Sequence, residues 1–200
     1  MLPFANISII GLGLIGSSIA HAVRESMPSA RITGFDADPA VRARVIELGF
    51  CDDVSDSAGA AVTDAGLVML CVPVGVIADV AAELAVDLPD DAIISDVGSS
   101  KEIVLAALTD ALPGARIIPA HPVAGTEHSG PDAGFATLFH ERWCILTPPE
   151  DAAKADIEQV KAFWEKLGAN VEIMGAKHHD LVLAVTSHLP HLIAYTIVGT

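Results

Sequence analysis

Along the chain, short apolar runs bounded by glycine, proline and acidic residues alternate with longer stretches in which apolar residues recur at helical spacing. Continuous short runs are what strands become when helices cover both faces of a sheet, and the intervening stretches read as the crossovers. Strands are expected at residues 7–10, 31–35, 67–72, 93–96, 116–120, 144–146 and 171–174. Helices are expected to begin near Leu14, Pro39, Val74, Ser100, Asp151 and Ala176. The pattern describes an α/β, doubly wound, mostly parallel sheet over residues 1–175, followed at 176–200 by one last helix.

That last helix is unusual, because residues 181–199 contain no Asp, Glu, Lys or Arg. The run is long enough for a membrane span, yet it holds Ser187, His188, Pro190 and His191, which are costly at mid-membrane. A buried helix kinked at Pro190 is expected instead. The chain stops at Thr200 within this pattern, so further chain of a longer protein or a second copy in a homodimer is expected to cover it.

Composition narrows the partners. The 200 residues are 52% hydrophobic, enough for a well-packed core, and carry a formal net charge of -15. Such a balance repels nucleic acid and anionic membrane. Cys51, Cys71 and Cys144 are widely separated and show neither disulfide nor metal-ligand spacing, so reduced thiols in a cytoplasmic protein are expected and no metal site is.

The stretch IIGLGLIGSSIA places Gly11, Gly13 and Gly16 in G-x-G-x-x-G between a strand-like run and a helix-like one. In that context the motif binds a dinucleotide: the glycines give a tight turn, close approach to the pyrophosphate and close helix packing, while the amides of the first turn, at Leu14, Ile15 and Gly16, face the anion. The fold is therefore expected to be Rossmann-type. Asp36 ends the second strand, where a carboxylate accepts from ribose hydroxyls and repels a 2'-phosphate, so NAD is expected over NADP. Arg42 and Arg44 follow closely and leave some room for NADP. Asp38, just before Pro39, suits the N-cap of the next helix. Val72 and Pro73, at the end of the third expected strand, are placed against the cofactor.

Three further segments, SDVGSSK at 95–101, AHPVAGTEHSG at 120–130 and TSHLPH at 186–191, fall on the same expected sheet edge or on the last helix. Together with the fingerprint they resemble the prephenate and arogenate dehydrogenases of tyrosine biosynthesis, and the resemblance covers nearly all of the chain. It implies oxidative decarboxylation of prephenate or arogenate, with hydride passing to NAD. It also implies a helical second domain that forms the dimer and carries an arginine for the substrate's side-chain carboxylate. The residues from 1 to 200 present no obvious cation for that group.

Within this resemblance His121 is the expected base, since imidazole accepts protons near neutrality. Ser99 matches the family serine that hydrogen-bonds it, although Ser99 with Glu102 also forms a capping-box sequence. Gly125, Thr126 and Glu127 are expected beside the substrate, as are His191 and, less directly, His188, three residues apart on one helix face. Asp96 and Lys101 are read as structural, and His178 and His179 as a solvated helix start. Two other readings stay open: an NAD-binding fragment or regulatory module without a complete substrate site, and a β-hydroxyacid-type dehydrogenase. The latter needs a catalytic lysine late in the chain, for which Lys177 is the available residue.

Overall fold

The first five-residue run, Asn6–Ile10, forms β1 at the centre of a six-stranded parallel sheet in the order β3-β2-β1-β4-β5-β6. The other strands are β2 (Arg31–Phe35), β3 (Asp53–Val54), β4 (Leu67–Leu70), β5 (Ile93–Asp96) and β6 (Arg116–Ile117). The helices are α1 (Leu14–Ser26), α2 (Pro39–Leu48), α3 (Ala58–Val62), α4 (Ile77–Leu84), α5 (Lys101–Ala111), α6 (Lys154–Lys166) and α7 (Ala176–Leu183). The computed structural model describes residues 2–188. Successive strand side chains serve opposite layers. Ile7, Ile9, Leu67, Met69 and Ile93 join Ile19, Val23, Phe163 and Trp164 in one core, while Ile10, Val68, Leu70 and Ile94 join Val62, Ile77, Leu84 and Leu108 in the other.

Local chemistry sets the boundaries. The Asp38 side chain accepts from the Ala40 amide at 2.8 Å, Pro39 opens α2, and Gly49 closes it at φ 70°, in the left-handed region a helix terminator uses. β3 and α3 are too short to show a period, and neither is expected from the sequence pattern.

The expected strand at 116–120 is not one strand. The Ile118 amide still donates to the Ile94 carbonyl of the main sheet, but Pro119 has no amide to continue the ladder, and its carbonyl accepts from Thr147 instead. The chain thereby passes from the parallel sheet to a second sheet, in the order β7-β8-β9, formed by β7 (Ala120–Pro122), β8 (Trp143–Leu146) and β9 (Asn170–Ile173). β7 runs antiparallel to β8 and pairs His121 with Ile145. His121 thus stands on a short strand of the small sheet, one step beyond the parallel sheet.

The last described helix begins as α7 and widens into a π-helical turn at Ala184–His188. Among the described residues no helix is long and apolar enough to cross a membrane. Leu183 packs inward, whereas Leu181 and Val185 stay 65% and 60% exposed. Pro190 and the kink expected there lie outside the described residues.

Candidate active site

The glycine loop follows from steric necessity. Gly11 has φ +96°, and a Cβ there would stand 2.5 Å from the Cys71 carbonyl oxygen; one on Gly16 would stand 2.0 Å from the Gly11 carbonyl oxygen. Neither position tolerates a side chain, so β1, the loop and α1 approach as closely as backbone permits. A Cβ on Gly13 would meet nothing within 4 Å, which leaves open the side of the loop that lines a cleft of about 470 Å³. Gly11, Asp36, Cys71, Val72 and Pro73 line the same cleft. The α1 N-cap, Gly13, contributes no side chain, so the amides of Leu14, Ile15 and Gly16 begin the helix without a side-chain cap.

Asp36 accepts from the Leu12 amide at 2.8 Å through Oδ2 and from the Asp38 amide at 3.0 Å through Oδ1. A carboxylate has about four acceptor sites, so capacity remains for a ribose diol at the cleft wall. Arg42 donates to the Asp36 carbonyl at 2.7 Å, and Arg44 is bound to Asp132 and Glu47. Both guanidinium groups are engaged. The cleft fits a dinucleotide: a turn closed to side chains, a helix start for the pyrophosphate, and a carboxylate for the ribose.

A second cavity, of about 680 Å³, lies past the end of the neighbouring strand, because β5 pairs in parallel with β4 and Asp96 stands opposite Leu70. Ser99, His121, Gly125, Thr126, His140 and Arg142 are among its lining residues. His121 is 8% exposed. Glu127 is exposed on the same loop and faces His128 at 3.5 Å. His191 lies outside the described residues. His188 ends the π-helical turn, and its side chain lies outside the described part as well. Lys177 is exposed at the start of α7 and does not line either cavity.

A buried ion pair anchors the backbone of the residue before His121. Lys101 and Asp96 are both fully buried, with Nζ 2.5 Å from Oδ2, and the same Nζ donates to the Ala120 carbonyl at 2.7 Å. Asp96 also accepts from the amides of Gly98 and Ala120. Burial pushes the Asp96 carboxyl up and the Lys101 ammonium down, and their mutual attraction opposes both shifts. This clamp joins the end of β5 to the residue before His121.

Two expectations from the sequence need correction. Ser99 and Glu102 do not form a capping box: Ser100 is the N-cap residue of α5 and gives no side-chain bond, and the Lys101 and Glu102 amides donate at 2.7 and 3.0 Å to Asp180 of α7. Ser99 is instead an exposed residue on the cavity wall. His179 is not solvated either. It is fully buried, its Nε2 lies 2.8 Å from Nδ1 of His121, and its Nδ1 lies 2.8 Å from Oδ1 of Asp180. Its neighbour His178 is exposed. The signal for His179 is its place four residues before Leu183, on the buried stripe of α7.

Burial lowers the His179 pKa against the opposing pull of Asp180. Burial pushes the Asp180 carboxyl up, but the Lys101 and Glu102 amides and the His179 ring outweigh it, so its pKa falls below the ordinary carboxylate value. Arg142 supplies the cavity with the cation that the sequence alone does not reveal, and among the described residues its guanidinium has no ion-pair partner.

Comparison with known proteins gives this geometry a family. The model for the prephenate dehydrogenase nucleotide-binding domain matches residues 19–173. A cyclohexadienyl dehydrogenase of Zymomonas mobilis is 47% identical over the full chain, which spans 68% of that relative. A prephenate dehydrogenase of Bacillus subtilis is 35% identical over 96% of the chain, which spans about half (52%) of that protein's length. The crystal structure of an Aquifex aeolicus prephenate dehydrogenase in complex with hydroxyphenyl propionate and NAD+ superposes on the whole chain and on 68% of its own, with a TM-score of 0.91 at 34% identity. By sequence along its whole length and by the arrangement of its strands, the chain belongs to the prephenate dehydrogenase family.

Proposed function

We propose that this protein oxidatively decarboxylates prephenate, arogenate or both, with NAD as hydride acceptor, in tyrosine biosynthesis. The observation that carries the reading is a nearly buried histidine lining a cavity past the strand next to the one that walls the dinucleotide cleft. NAD bound in the cleft would supply the hydride acceptor. A solved relative holds NAD+ and hydroxyphenyl propionate, a ring compound of the size and shape this reaction produces.

The roles follow from chemistry. As hydride leaves the ring carbon bearing the hydroxyl, the hydroxyl proton passes to His121, and the ring becomes a dienone. Loss of the ring carboxylate as carbon dioxide sends its electron pair into the ring, and the resulting phenolate takes the proton back. No net proton is consumed. Arg142 is suited to a substrate carboxylate, which a strongly acidic protein would otherwise repel. Asp36, with Arg42 and Arg44 already engaged, favours NAD over NADP.

We assign residues 1–175 to the nucleotide-binding domain and 176–200 to the start of a helical region through which a homodimer forms. The exposed Leu181 and Val185 support an apolar contact there. Cys51, Cys71 and Cys144 are unpaired, which fits the reducing cytoplasm.

The test is nicotinamide reduction with NAD and each substrate in turn. Turnover is expected, and His121→Asn should lower kcat by about 10²- to 10⁴-fold, the range of a lost general base. Arg142→Met should raise KM for the substrate about tenfold or more while leaving KM for NAD in place. Absence of turnover on both substrates, or an unimpaired His121→Asn, would overturn the reading.

A further inference from the structure

We infer that His179 and Asp180 are positioning residues that fix His121 as a base at Nε2. The inference rests on the proposed function for its kinetic meaning, but its geometry stands alone. Asp180 receives the Lys101 and Glu102 amides at 2.7 and 3.0 Å and is held ionised. An ionised carboxylate only accepts. Nδ1 of His179, 2.8 Å from Oδ1, must therefore carry the proton of that bond.

Burial disfavours a charge on His179 and lowers its pKa from 6.5, so near neutral pH its Nε2 bears a lone pair. The bond between His179 Nε2 and His121 Nδ1, at 2.8 Å, is then donated by His121. The rings meet edge to face, with an interplanar angle of 71° and centroids 5.1 Å apart, as a lone pair in one ring plane meeting an N–H in the other allows. With the proton of neutral His121 placed on Nδ1, Nε2 is the nitrogen with the lone pair that takes the substrate's proton. A histidine side chain free in water prefers the Nε2–H tautomer, so the protein must impose this one through the bond at Nδ1. When His121 becomes an imidazolium, its Nδ1 bond turns charge-assisted and the Asp180 carboxylate stabilises it through His179.

Among the described residues, the other charged or titratable groups near His121 do not replace this pair. Lys101 of α5 is neutralised by Asp96 of β5, and both are committed to the Ala120 backbone. Burial keeps the Cys144 thiol of β8 protonated. His140 and Arg142 line the cavity.

The experiment combines nitrogen NMR with kinetics. In the unaltered protein above the His121 titration, the ring of His121 should show the Nδ1–H tautomer. In His179→Phe it should revert to the Nε2–H form common in water. The same variant should lose kcat about 10- to 100-fold, the usual effect of removing a partner that orients a reacting group, with KM for NAD unchanged. Its acid limb should move to lower pH, because the imidazolium has lost its acceptor. His179→Gln, whose side-chain carbonyl can still accept from Nδ1, should restore part of kcat and return the limb toward its original position. It also serves if the Phe variant does not fold.

An Nε2–H tautomer for His121 in the unaltered protein would overturn the inference whatever the kinetics. So would unchanged kcat and pH limb in folded His179→Phe while His121→Asn is inactive. An active His121→Asn strikes at the proposed function instead, and leaves the tautomer measurement to decide this point.

Discussion

The proposed function gives Asp36 two purposes for one carboxylate. Asp36 holds the glycine loop through the Leu12 amide, and it presents its remaining acceptor sites to the dinucleotide cleft. A hydrogen bond to a charged group contributes about 1.5–3 kcal/mol, so Asp36→Ala should weaken NAD binding about 10- to 100-fold. Binding of NADP should weaken less, because the variant also removes repulsion toward a 2'-phosphate. Calorimetry with both nucleotides checks this, and equal losses would mean that Asp36 acts on the loop alone. The residue is legible in sequence because its role depends on local spacing from a fingerprint. His179 is not legible in that way, since its partner, His121, is 58 residues distant and only the packing of α7 on α5 brings them together. Arg142 escapes notice for a related reason: a lone arginine before a strand reads as surface until β7 and β8 pair and it comes to line the same cavity as His121.

At the scale of elements, the parallel sheet is legible because runs buried on both faces carry their own signature, and α2 because its cap, proline and terminal glycine are all local. The division at Pro119 is the exception. An apolar run continues through it, and which sheet receives each half is decided by the partners Ile94 and Thr147, not by the run itself. The Lys101–Asp96 pair then fastens the second sheet to the first at the residue preceding His121. Removing one member of a buried pair leaves the other charge uncompensated, at a cost of about 3–5 kcal/mol. Lys101→Met should therefore lower stability to denaturant by that amount near neutral pH. The loss should shrink in mild acid, because the abandoned Asp96 carboxyl, already pushed up by burial, can take a proton. A loss that does not vary with pH would show that packing of the lysine stem, not charge, dominates.

For the molecule as a whole, pH acts on stability through two opposing effects. The protein carries a formal charge of -15 at pH 7, so mild acid relieves self-repulsion. Burial holds His21 and His179 below the ordinary histidine value of 6.5, which works the other way. A base whose folded pKa is depressed binds fewer protons folded than unfolded. Its stabilisation is complete above the unfolded pKa, is lost as pH falls below 6.5, and levels off once the folded pKa is passed. The general charge effect is shared by a point variant, whereas the His179 contribution is not. The difference in thermal midpoint between the unaltered protein and His179→Phe should therefore change between about pH 7.5 and about pH 5, with the unaltered protein losing relative stability toward acid. Parallel curves across that window would mean that His179 titrates alike in the folded and unfolded states. The chain from Asp180 to His121 would then contain a cationic imidazole in mild acid, and His121 could no longer donate to it.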